Sequence, residues 1–393
     1  VNDARRDSPD YNPLQPHGRN VRSHDAARAS WISIRAFVRP KIIQAMIKQR
    51  TLGRTGLNVS ELCLGTMNFG WKTDEQKSFD LLDAFREAGG NFIQAAGHCP
   101  APLLTAASTT FSEEVVGRWS QSRDIPRGER VLATRLSLGR IPEGVAMVKF
   151  TRDCVRDSLH RLRTDYVDLL VIEWSDSLLP VPEFLKVFDA LVREGLVRYI
   201  GAANFPNWRV AEAIARAPLS NHCRMEALQS DYSLLTRARF EPEAMALCEE
   251  QRLGFLARSP LSGGFLARGQ GRHNRFNASR RDWLEQRFGN AYGDAALAAV
   301  SDVAARHEAS PAQVALSWVL HNPAVTSAVI GVHSVAQLDE LVQVTSLPLE
   351  TVDLEQLDHA TATEEVRVTP RNADNSLAMS ATALGLEPLL AEH

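Results

Sequence analysis

The chain has 393 residues, 44% of them hydrophobic, with a formal net charge of −3. That is enough apolar material for a sizeable core, and the near-neutral balance gives no electrostatic footprint for nucleic acid. The many arginines are interleaved with Asp and Glu along predicted helices, which marks solvated faces. The five cysteines (Cys63, Cys99, Cys154, Cys223 and Cys248) are odd in number and form no C-x-x-C pair. That argues against a disulfide framework or a zinc site, and it fits a reducing cytoplasm. No apolar run is long enough to span a membrane, and no secretory signal pattern opens the sequence.

In chain order, residues 1–45 are polar, Arg-rich and Pro-containing, a composition that buries too little surface to offset the entropy of ordering. Two explanations stay open: an over-extended start ahead of Met46, or an arm that docks elsewhere. Arg50–Ser60, with Gly53 and Gly56 as turn points, suits a hairpin. From there, short apolar strands alternate with helical periodicity. The predicted strands are Glu61–Gly65, Asn91–Ala96, Arg130–Ser137, Val167–Trp174, Val197–Asn204, Met225–Tyr232, Gly254–Pro260 and Ser327–Val332. The predicted helices are Asp74–Ala88, Ser112–Ser120, Ala146–Leu162, Val181–Glu194, Asn207–Ala217, Ala238–Gln251, Asp294–His307 and Val335–Val344. A further helix fits Ser310–His321, with Ser310 as cap and Pro311 in the first turn. Eight such β-α units predict a parallel (β/α)8 TIM barrel with its helices outside and its site at the C-terminal mouth. Two long insertions, Pro100–Phe111 and Gly263–Tyr292, follow strands and so fall at that mouth. Residues 46–366 form the predicted barrel, and 367–393 a C-terminal tail.

The segments TLGRTGLNVSELCLGTMNFG, SLHRLRTDYVDLLVIEW, LVREGLVRYIGAANF, LQSDYSLLTR, SPLSGGFL and AVIGVHSVAQLDEL together resemble the aldo-keto reductases from about Arg50 to Val366. The resemblance implies hydride transfer from NADPH, with a Tyr–Lys–Asp–His tetrad protonating the carbonyl oxygen. Position by position, the tetrad is rewritten. Gln94 stands for the Asp, Cys99 for the Tyr, Arg135 for the Lys and Glu173 for the His. Arg135 cannot cycle a proton, and a positioned acid is worth about 10²–10⁴-fold in rate. On the cofactor side, Asn204, Gln229, Ser259, Leu261, Ser334 and Gln337 match the positions that hold NADP(H). Arg258 replaces the aromatic residue that stacks on the nicotinamide, although its guanidinium could still stack by a cation–π contact. His333 replaces an Arg, Leu341 an Asn and Ala203 a Ser. NADP(H) binding is thus left open, and no metal is expected.

The remaining site candidates follow from position. His98, beside Cys99, is placed to titrate near neutral pH as acid or base. Glu173 and Arg135 end neighbouring strands, so they form either a structural ion pair or a held carboxylate for proton transfer. Cys99 is a candidate nucleophile and more commonly an apolar filler. Gln94 hydrogen-bonds the pair or the ligand. Met67, Phe69, Trp71 and Trp174 would wall an apolar substrate pocket. The basic loop Arg268–Arg281 either grips an acidic group or is simply solvated. The expected function is non-redox acid/base chemistry (dehydration, isomerisation or cyclisation) on a small organic substrate, suited to tailoring in secondary metabolism. The alternatives are an NADP(H)-dependent oxidoreductase with another proton donor, and a non-catalytic ligand or dinucleotide sensor. The sequence leaves oligomeric state open.

Overall fold

A computed structural model describes residues 46–97, 107–137, 146–173, 180–268 and 278–362. The N-terminal segment, the C-terminal tail, His98, Cys99 and Trp174 lie outside the described residues, as does most of the basic loop.

Eight parallel strands close a barrel: β3 (Leu62–Gly65), β4 (Phe92–Ala96), β5 (Val131–Ser137), β6 (Val167–Glu173), β7 (Val197–Ala203), β8 (Met225–Asp231), β9 (Gly254–Arg258) and β10 (Val325–Ile330). They are ordered β10-β3-β4-β5-β6-β7-β8-β9 in a ring. Consecutive strands are neighbours because a short helical crossover allows parallel pairing only alongside. Around them lie α1 (Glu75–Glu87), α2 (Ala107–Ser122), α3 (Met147–Leu162), α4 (Val181–Arg193), α5 (Asn207–Leu219), α6 (Ala244–Gln251), α7 (Ala278–Phe288), α8 (Ala291–Arg306), α9 (Pro311–His321), α10 (Val335–Val342) and α11 (Thr351–Ala360).

The strands read as continuous apolar runs because both faces are buried. Outward side chains join the helices in one large cluster. Inward ones, including Phe92, Val131, Leu169, Val171 and Leu256, fill the barrel in a second cluster. The hairpin of β1 (Gln49–Thr51) and β2 (Asn58–Ser60) pairs antiparallel and inserts fully buried Leu52 and Val59 into that inner cluster. The barrel floor is thereby closed. At its turn Gly53 has φ +52°, and a Cβ there would lie 2.6 Å from the Gly254 nitrogen, so no larger residue fits.

The predicted units are all present, and the differences have local causes. The helix expected over Ala238–Gln251 is a 3₁₀ turn at Arg237–Arg239 followed by α6, because Pro242 disfavours helical geometry at Glu241. α2 begins earlier than its apolar pattern, since the sequence Ala-Ser-Thr-Thr carries no 3.6-residue period. α7 was expected as loop because its Arg-rich sequence masks its few core contacts. α11 was not expected at all. It is started by a capping box between Glu350 and Asp353. The predicted Ser310 cap forms a capping box with Gln313. Cys63, Cys223 and Cys248 are free thiols, but Cys154 on α3 is disulfide-bonded.

Candidate active site

Strand alternation builds the site. Phe92, Ala133, Val171, Ala227 and Leu256 point inward in the apolar layer. Two residues further along, Gln94, Arg135, Glu173, Gln229 and Arg258 also point inward, nearer the C-terminal mouth. Asp231 follows Gln229 by the same rule. The barrel thus changes from apolar to largely polar within one layer, with Ala203 the inward apolar exception on β7, at the end where such barrels carry their chemistry.

Arg135 of β5 is ion-paired through Nη2 to Glu173 Oε1 on neighbouring β6. The same Glu173 oxygen accepts a bond from Asn204 Nδ2 at 2.9 Å. Asn204 Oδ1 accepts from Arg258 Nη2 at 3.1 Å, and Arg258 Nε donates to Asp231 Oδ1 at 2.8 Å. Five side chains from four strands and one strand end form an unbroken string. Its four charged members are each less than a quarter exposed. Burial lowers the pKa of Arg135, as does the nearby charge of Arg258, against the opposing pull of Glu173. Burial also acts downward on Arg258, but the Asp231 charge and hydrogen bond, aided by Glu173, carry its pKa above the ordinary arginine value.

The backbone is held at the same level. Asn204 has φ 58° and Ser259 φ 52°, left-handed conformations at the ends of β7 and β9. Asn tolerates this region and Ser rarely visits it, and such residues cluster at functional sites. The Thr134–Arg135 pair is anchored from behind. Thr134 Oγ1 donates to Glu113 Oε1 at 2.5 Å, and Arg161 Nε donates to Glu113 Oε2 at 2.8 Å. Glu113 is fully buried.

Beside the string, Gln229 Nε2 donates to Gln94 Oε1 at 2.9 Å. Of the apolar wall residues, Met67 is exposed and Phe69 fully buried in the outer core. Trp71 is half-buried beneath Lys72 Nζ, 4.5 Å from its ring centroid. Ser334 Oγ accepts from the Gln337 backbone, while Gln337 Oε1 accepts from the His333 backbone at 2.8 Å. These two side chains therefore cap α10. Leu341 belongs to the core. Sequence reasoning missed Asp231, whose inward direction follows from the alternation on β8, and Glu113, for which no local pattern exists. It also missed a second grouping at the mouth. Lys72, Arg280 and His333 are close enough that burial and mutual repulsion lower the Lys72 and His333 pKa values, while burial alone lowers that of Arg280. Arg280 Nη2 donates to the Gly263 carbonyl at 2.5 Å.

NADP(H) fits this arrangement at one end only. The Lys72–Arg280–His333 grouping suits phosphates. At the nicotinamide end, both amide atoms of Asn204 are engaged by Glu173 and Arg258, and Arg258 stands where an aromatic ring would stack. Among the described residues, no group of His, Cys, Asp and Glu is arranged to hold a metal ion. No described helix is long and apolar enough to cross a membrane.

A closed parallel barrel with a polar site at its C-terminal mouth defines the class of scaffold. Residues 61–362 match the aldo/keto reductase family, and the chain belongs to that family. It is 32% identical over 320 residues to an uncharacterized oxidoreductase, YrpG, of Bacillus subtilis, covering 78% of this chain and 94% of that protein. It is 30% identical over 327 residues to norsolorinic acid reductase of Aspergillus flavus, covering 78% of each. With protein tas of Escherichia coli K12 it shares 32% over 324 residues, covering 75% of this chain and 92% of that one.

Proposed function

We propose that this barrel is an enzyme that moves protons on a small organic substrate without net redox change, by dehydration, isomerisation or cyclisation. A tailoring step in secondary metabolism suits such a reaction. One observation carries the reading: the side chains at three tetrad and nicotinamide positions (Arg135, Glu173 and Asn204) are tied to one another and to Arg258. No phenol or ammonium group belongs to that string. Among the described residues, the Tyr199 hydroxyl bonds the Thr55 carbonyl at the floor, Tyr232 bonds Glu241 and Asn322, and Tyr292 bonds the Leu234 and Thr361 carbonyls. Tyr166 is stacked against Arg127 and Arg198.

In this reading Glu173 is the base and Arg135 orients it. In a dehydration the carboxylate takes a C–H proton next to a carbonyl. The β C–O bond then breaks, and the same proton leaves with the hydroxide as water, so Glu173 ends ionised as it began. The experiment incubates the purified chain with β-hydroxy carbonyl compounds in heavy water and follows enone formation and deuterium exchange by NMR. Activity that is abolished in Glu173→Gln, with no consumption of NADPH, is the expected result. Brisk NADPH oxidation with ordinary ketones overturns the reading.

A second reading, an NADP(H)-dependent oxidoreductase with another proton donor, is favoured by the grouping of the cations Lys72 and Arg280 with His333. The names of relatives, oxidoreductase and norsolorinic acid reductase, point the same way. Fluorescence titration with NADPH, followed by single-turnover reduction of model aldehydes, separates the two.

A further inference from the structure

The barrel axis is bridged beside the charged string by two amides. Gln94 of β4 and Gln229 of β8 come from strands on opposite sides of the ring and are 8% and 2% exposed. They share a single hydrogen bond. Gln94 Nε2, Gln229 Oε1 and Arg135 Nε remain buried without a partner. Exchanging oxygen and nitrogen in both amides leaves the same inventory, one donor and one acceptor, with Arg135 Nε as a second donor. Unpartnered polar atoms inside a protein are destabilising, and three in one barrel, two on adjacent β4 and β5 and one across the ring on β8, call for a group that satisfies them.

Charge decides what that group is. The string holds two cations, Arg135 and Arg258, and two anions, Glu173 and Asp231. An anionic ligand would add an uncompensated charge in a buried layer. A carboxylate would also turn an oxygen toward the Gln229 acceptor. A hydrocarbon leaves all three atoms unpaired. A neutral carbonyl oxygen can accept from Gln94 and Arg135 while a neighbouring hydroxyl donates to Gln229. We propose that Gln94, Gln229 and the Nε of Arg135 form a recognition subsite for a neutral hydroxy-carbonyl group. The subsite names the substrate class of the proton-transfer reaction above and rests on the reading that the mouth receives a substrate. The three atoms do not reach solvent, so the group enters when the exposed Asn204–Arg258 bond parts.

The test uses the full chain and three matched probes: the aldol of acetone and benzaldehyde, the corresponding β-hydroxy acid, and benzylacetone, which lacks the hydroxyl. Saturation-transfer NMR and thermal unfolding are the readouts. The neutral aldol should bind at least tenfold more tightly than either of the others. In Gln94→Met/Gln229→Met that preference should vanish while the melting temperature stays level or rises, because no buried amide is left unpaired. Gln94→Met alone, which strands the Gln229 amide, should melt lower than the double variant. Three results overturn the subsite: no binding of the aldol to the native chain, equal binding of acid and aldol, or a double variant that melts below the single one. Competition with NADP⁺ tests the underlying reading separately. If NADP⁺ displaces the aldol and NADPH then reduces it, the non-redox reading falls, while the Gln94/Gln229 result stands on its own measurements.

Discussion

Arg135 and Glu173 can be removed separately or together, and the structure fixes how the three variants differ. The two side chains are 22% and 16% exposed and directly paired. Arg135→Met leaves the Glu173 carboxylate with the Asn204 N–H but without its neighbouring cation. Breaking a fully buried pair costs about 3–5 kcal/mol, and partial hydration here reduces that to ~2–4 kcal/mol. Glu173→Gln leaves Arg135 facing Arg258 with only Asp231 to balance both, a loss of ~2–3 kcal/mol by the same reasoning. In the double variant neither charge is stranded, and the total falls to about 0–1.5 kcal/mol. The coupling energy is therefore about 2.5–7 kcal/mol, centred near ~5 kcal/mol and far above the ~0.5 kcal/mol scatter of independent sites. Urea unfolding of the four proteins measures it, with an unchanged m-value showing that the unfolded state has not moved. If the single effects add up to the double effect, the pair is not formed, and the string has no link across β5 and β6.

Three further outcomes are expected. Asp353 is pushed up by burial but held down to about 2 by Arg306, the Glu350 backbone N–H and His307. Its folded value is thus below the ordinary 3.8, so its contribution is complete above about pH 4 and disappears as the pH falls toward 2; Asp353→Asn should flatten that part of an acid-unfolding curve. His333 is held below its ordinary value by burial, Arg280 and Lys72, so an anion placed among them raises it and binding takes up a proton. Calorimetry with inorganic pyrophosphate should show affinity rising as the pH falls, and His333→Ala should remove the slope. Gly97→Ala should destabilise by about 1–3 kcal/mol, read by urea unfolding, because its Cβ would lie 2.5 Å from Glu113 Oε1 and 2.8 Å from Thr134 Oγ1.

The barrel was legible because short continuous apolar runs alternating with 3.6-residue helical faces need no partner to be recognised. The Arg135–Glu173 pair was legible because both residues sit at strand ends whose neighbours are fixed by chain order. What the sequence could not show is convergence across the ring. Asp231 reaches Arg258 only because β8 and β9 are paired at that register. Gln94 meets Gln229 across 135 residues and the barrel axis. Phe69, two residues after Met67, faces the outer core and not the mouth, because the turn it sits in closes from Phe69 N to the Thr66 carbonyl and has no strand alternation to follow. His98, Cys99 and Trp174 lie outside the described residues, so their proposed roles remain tied to the family positions they occupy.

Charge balance explains why such a site changes in concert. The family pattern sets one anion and one cation against each other, in the positions of Gln94 and Arg135. Here Gln94 is neutral, and the balance is made instead by Glu173 against Arg135 and Asp231 against Arg258. The sum stays at zero while the number of buried charges doubles. Each single replacement that brings in a family residue breaks that sum. Restoring an aromatic residue at Arg258 strands Asp231, restoring an Asp at Gln94 adds a third anion beside Gln229, and restoring a His at Glu173 removes the counter-charge of Arg135. Each leaves a buried charge without its partner, the costly half of an ion pair. The present arrangement is therefore a local minimum. Changing the Arg258 and Asp231 positions together, and the Arg135 and Glu173 positions likewise, is therefore expected to cost less than changing either member alone.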